Sequence, residues 1–146
     1  MTITEAEIVA GARAIAAALH VSPDTVIPFH PPLDGWPYAE LRDGKVHYLV
    51  RERAHVDLIA TYTDLDAFLY QLAEEATSSL ARGWELNNRT GSVEDPDFDS
   101  RIAWVAKQLQ LLNTVNPVWA ERFRATVETR FSGLSLQDVD RHPVGP

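Results

Sequence analysis

The stretch YAELRDGKVHYLVRERAHVDLIATY, residues 38–62, decides the fold class. Its Asp43-Gly44 pair favours positive φ at both positions, the requirement of a tight two-residue hairpin turn, and it separates residues 38–41 from residues 46–53. The second arm, VHYLVRER, is rich in β-branched and aromatic residues with a period of two. Val46, Tyr48 and Val50 therefore face one way, and His47, Leu49 and Arg51 the other. Residues 58–62 can return as a third antiparallel strand. A meander of this kind has an apolar face that needs a cover.

The flanking segments supply helices. Thr4 with Glu7 forms a capping box, Ile3 and Ile8 a hydrophobic staple, and Ile8, Ile15 and Leu19 recur at helical spacing over residues 4–20. Residues 21–37 hold five prolines and no period, so they read as an extended connection pinned by Phe29 and Trp36. Beyond the meander, Thr63-Asp64-Leu65-Asp66 caps a helix that runs to about Asn88. Its buried stripe is read as Leu65, Leu69, Leu72, Ala76 and Leu80, and its outward strip as Tyr70, Glu74, Ser78, Glu85 and Asn88. A Gly- and Pro-containing loop follows at residues 90–97. Ile102, Val105, Leu109 and Leu112, with Trp104 and Leu111, mark a central helix. Asn116-Pro117 opens a last helix, 117–131, which packs through Trp119, Phe123 and Val127 and stops near Gly133. The tail, 132–146, reads as frayed. The expected architecture is a single α+β domain over residues 1–146. In it a small antiparallel sheet of about three strands, residues 38–62, packs against an N-terminal helix and three C-terminal helices at about 63–131.

Charge is concentrated. The chain of 146 residues has 21 acids against 13 bases, a net charge of -8. From Asp57 to Asp99 there are ten acids and only Arg82 and Arg89 against them, so this segment holds the whole excess. Nucleic acid is excluded as a partner on this balance, since phosphate binding needs a cationic surface. A field of one sign instead orients a protein of the opposite sign. With no cysteine there is no disulfide framework and no thiolate chemistry. Acids near the N-terminus and the lack of a long apolar run lead to the expectation of a soluble, cytoplasmic protein with no membrane contact.

Little asks for catalysis. The seven glycines never cluster as a phosphate-binding loop, and neither Gly-x-Ser-x-Gly nor His-Glu-x-x-His occurs. His47, His55, Glu52 and Asp57 are close in sequence, but His47 and Glu52 have opposite strand parity, so no metal and no cofactor is expected. Glu74 and Glu75 project about 100° apart on a helix, poor geometry for an acid–base pair. Trp84 and Trp104 read as core. The alternative to a binding protein is a small enzyme or ligand-binding domain with a pocket between sheet and helices near Trp36, Tyr48, Trp84 and Glu85.

Residues 38–131 resemble the immunity proteins of bacterial polymorphic toxin systems, family sixty-three. HYLVRERAHVDLIATYTDLDAFLY (47–70) is similar to that family's strand, Glu-Arg turn and Thr-x-Asp-Leu-Asp helix start. WELNNR (84–89) is similar to its aromatic-Glu-Leu helix end with a following arginine. AKQLQLLNTVNPVWAER (106–122) resembles its Lys-Gln-Leu-x-Leu-Leu helix and Asn-Pro-x-Trp-Ala-x-Arg start. Gln71, Asn87, Asn88 and the long loop at 90–98 depart from the pattern. The resemblance implies a non-enzymatic inhibitor of one cognate toxin domain. Such a partner would be basic, with a nuclease as one candidate. Joined to the charge map, this nominates Tyr70, Glu74, Glu85, Glu94, Asp95, Asp97 and Asp99 as contacts.

Overall fold

The computed structural model describes residues 2–29, 33–92 and 94–146; Pro31 and Pro32 of the proline-rich connection and Val93 of the loop lie outside them. The fold is α+β, with a three-stranded antiparallel sheet and six α-helices among the described residues. The chain divides into two compact units, Met1–Ala73 and Glu74–Pro146, and the boundary falls within the longest helix.

In the first unit, α1 (Glu5–Leu19) starts as the sequence predicts. Thr4 Oγ1 accepts from the Glu7 amide at 3.2 Å, Glu7 Oε1 accepts from the Thr4 amide at 3.1 Å, and Ile3 and Ile8 are both buried. Gly11 lets Leu69 approach, because a Cβ there would lie 2.5 Å from the leucine methyls. The sheet order is β1 (Pro37–Arg42), β2 (Lys45–Glu52), β3 (His55–Tyr62). Asp43 and Gly44 both have positive φ, 53° and 74°, so the first turn is the one their chemistry selects. Strand β3 begins three residues before the expected 58–62, after a second tight turn in which Arg53 adopts φ 57°. Its register against β2 shifts between Tyr48 and Leu49, leaving Ile59 as the extra residue of a bulge. Tyr48 packs edge-on against Tyr62 and Phe68, at centroid distances of 6.5 and 5.4 Å, and this aromatic cluster fills the covered face.

Two expectations need correction here. Trp36 does not pin the connection; it is 62% exposed. In α2 (Leu65–Asn87), capped by Asp64 Oδ2 on the Ala67 amide at 3.0 Å, the buried line is Phe68, Leu72, Ala73, Thr77, Ala81 and Glu85. That line lies about 100°, one residue, from the stripe read off the leucines, and Leu80 is exposed. Small Ala and Thr on one helix side allow close packing, which a count of large apolar residues does not detect.

The second unit carries the remainder of α2 with α3 (Ser100–Val115), α4 (Pro117–Arg124), α5 (Val127–Arg130) and α6 (Leu136–Arg141). Its core holds Trp104, Val105, Leu112, Trp119, Phe123 and Val127, with Phe131 perpendicular to Trp104 at 5.2 Å. Leu109, read as part of the buried stripe, is only half-buried; Gln108 takes the interior position beside it. The helix expected over 117–131 is divided at Ala125–Thr126, where the Thr126 hydroxyl donates to the Phe123 carbonyl at 2.7 Å. The tail is not frayed. Ser135 caps α6, Leu134 and Val139 are buried, and Asp140 accepts a two-pronged bond from Arg124 at 2.6 and 2.7 Å. The Ser135-x-x-Asp138 spacing was the overlooked signal. No helix among the described residues is long and apolar enough to cross a membrane.

Candidate functional site

The nominated contacts fall into two kinds. Glu74, Glu85 and Asp99 are neutralised within the second unit. Glu74 is buried and pairs with Arg130, whose guanidinium also lies over the Phe123 and Phe131 rings. The Glu74 carbonyl accepts from Gln108 Nε2 at 3.0 Å, and the same amide reaches Thr77 Oγ1 at 3.2 Å. Glu85, 4% exposed, accepts from Arg89 at 2.9 and 2.6 Å, and the Arg89 hydrogen bonds hold its carboxyl below the usual glutamate range. Arg89 in turn lies over Phe98. Asp99 caps α3 at the Arg101 amide and receives the Arg101 guanidinium at 2.9 and 2.8 Å, which lowers its carboxyl as well. The outward acidic strip expected on α2 is therefore corrected, because Glu74 and Glu85 turn inward onto arginines. A carboxylate can be buried at such a place when a guanidinium fork satisfies it.

Glu94, Asp95 and Asp97 behave differently. All three are exposed and have no ion-pair partner among the described residues. Local bonds join Ser92, Glu94, Asp95 and Asp97. Asp95 Oδ1 accepts from the Asp97 amide at 2.9 Å, the Asp95 amide donates to the Ser92 carbonyl at 3.0 Å, and Ser92 Oγ accepts from the Glu94 amide at 3.3 Å. Gly91 has no side chain to displace the Phe98 ring, which a Cβ would meet at 2.3 Å. Phe98, Glu85, Asp95, Asp97, Asp99 and His142 line a cleft of about 220 Å³ beside this loop. Tyr70 is half-buried in the first unit.

Two features escaped the sequence reading. Lys107 is buried, donates from Nζ to Gln110 Oε1 at 2.7 Å and to the Val144 carbonyl at 3.1 Å, and lies 5.0 Å from the centre of the Trp84 ring. The residues of the two helical motifs that carry the family resemblance thus meet in one cluster, Trp84 with Lys107 and Glu85 with Arg89. The second feature is apolar. Leu33, Trp36, Val56, Leu58 and Ile59 are all exposed in the first unit. In the ladder Leu58 stands opposite Leu49 and Leu49 opposite Tyr38, so the sheet face away from Tyr48 carries an apolar row across three strands. Tyr48, proposed for a pocket in the alternative reading, is 2% exposed and belongs to the aromatic core.

Comparison with curated proteins gives no match, and neither does comparison with solved structures. The family model described as Immunity protein 63 matches residues 43–129, from the first hairpin turn to α5. That span covers more than half of the chain and includes the strand, helix-end and helix-start motifs quoted above; the chain belongs to the immunity protein 63 family.

Proposed function

We propose that this immunity protein neutralises a cognate toxin domain in the cytoplasm by direct contact, without catalysis, and that its acidic loop guides the encounter. One observation carries this reading. The chain holds three exposed acids within residues 94–97 that no cation of its own compensates among the described residues, next to acids that are each paired with an arginine. Uncompensated surface charge of one sign attracts a partner of the opposite sign and raises the association rate more than the final affinity. A basic toxin domain, such as a nuclease, suits that field. Glu85 and Asp99 serve this surface indirectly, as the paired floor of the cleft beside the loop.

The test is inhibition of the cognate toxin domain. Purified together, the two should form a complex, and toxin activity should fall to background at equimolar immunity protein. Full toxin activity in excess immunity protein would overturn the proposal.

A further inference from the structure

We infer that the free edge of the sheet, strand β3, accepts an extended cationic segment of the toxin as a fourth strand. The inference rests on the toxin-binding reading above and adds the place and chemistry of contact. In an antiparallel strand every second residue directs its N–H and C=O away from the neighbour it pairs with. On β1 the outer edge is in part occupied, since the Ala39 amide donates to the Pro28 carbonyl at 3.2 Å. On β3 no main-chain bond from another segment reaches residues 55–61 among the described residues. Edge strands are ordinarily blunted by shortness, by lysine or by proline. Strand β3 has eight residues with no lysine or proline, and its edge is modified only by the exposed Asp57 and the bulge at Ile59.

The side chains around that edge suit a ligand. Val56, Leu58 and Ile59 are about half exposed. An exposed apolar patch rimmed by polar groups marks an interaction surface. Main-chain bonds would supply affinity and alternate side chains the specificity.

Charge selects the occupant. Between Arg53 and the end of the first unit at Ala73 the chain carries Asp57, Asp64 and Asp66, with no lysine or arginine. Asp57 stands on the strand itself, exposed, with His55 as its ion-pair partner at 2.9 Å among the described residues, and Asp64 and Asp66 follow at its end, exposed. A second copy of this chain would bring the same acids, from a unit with ten acids against five bases, and like charges oppose that pairing. A toxin strand alternating apolar residues with lysine or arginine meets both the apolar row and the carboxylates.

Hydrogen exchange of the chain alone and in complex with the cognate toxin domain tests the inference. Amides within Val56–Thr61 should exchange at least tenfold more slowly in the complex. Leu58→Lys, at an exposed position, should weaken binding at least tenfold with the unfolding midpoint unchanged. A complex with unaltered exchange at 56–61, or wild-type binding by Leu58→Lys, overturns the edge assignment and leaves toxin binding standing. Protection that appears in the concentrated chain alone, together with dimer formation, overturns the cationic occupant. Absence of any complex overturns both readings.

Discussion

Glu85 and Arg89 lie one turn apart on and just beyond the end of α2, and two hydrogen bonds of 2.9 and 2.6 Å join them while Glu85 is almost wholly buried. The pair has a consequence for acid stability. Because the native carboxyl titrates below its unfolded value of about 4.3, its stabilisation is complete above about pH 5 and is lost as pH falls through the lowered native value. Asp99 with Arg101 and Asp140 with Arg124 act in the same direction. Stability should therefore decline steeply below about pH 4.5. Glu85→Gln should cost about 1 kcal/mol at pH 7, a modest figure because Arg89 is partly solvated, and should flatten the acid slope. Urea titrations from pH 3 to pH 7 would measure both; an unaltered slope would show that the pair contributes nothing to folding.

Asn116 caps α4 by accepting from the Val118 and Trp119 amides at 2.9 and 3.4 Å. Asn116→Ala leaves these donors without their side-chain acceptor and should destabilise the fold by about 0.5 to 2 kcal/mol, with toxin binding preserved. Thermal unfolding of the variant checks the first part, and titration with the toxin the second.

Leu112 and Leu109 provide a paired test of the core. Leu112 is fully buried, so Leu112→Ala should cost about 2 to 5 kcal/mol, whereas half-buried Leu109 should lose clearly less on the same change. Equal losses in chemical denaturation would mean that the two positions are packed alike.

The contrast between these leucines indicates what a sequence can disclose. Features set by neighbours in the chain were legible: the Thr4 and Asn116 caps, the Asp43-Gly44 turn, the strand parity at Val46, Tyr48 and Val50, and the α+β order. Features set by tertiary partners were not. Nothing near Glu74 in sequence announces Arg130, so helical periodicity alone placed Glu74 and Glu85 on a strip facing solvent, and nothing near Gln108 announces Thr77. The exposed Val56 and Leu58 were missed for the same reason, since alternation says which residues share a face and not whether that face is covered. The loop acids were legible because a short Gly- and Pro-containing segment has few routes into a core.

Those loop acids give the sharpest prediction for the encounter. Replacing Glu94, Asp95 and Asp97 by their amides removes three exposed negative charges that make no ion pair among the described residues, so the fold should survive within about 0.5 kcal/mol. The Asx bond from Asp95 to the Asp97 amide can persist, because an asparagine side chain accepts through its own oxygen. If the loop steers a basic toxin, the association rate should fall severalfold at low salt. The mutant's rate should also depend less on ionic strength than the wild type's, since screening acts over about 10 Å at 0.1 M salt. The dissociation rate should change much less, because long-range attraction acts before the anchors are desolvated. Stopped-flow association at several salt concentrations separates the two rates. Identical association rates throughout would assign the three acids to solvation and remove the main support for a charge-guided encounter.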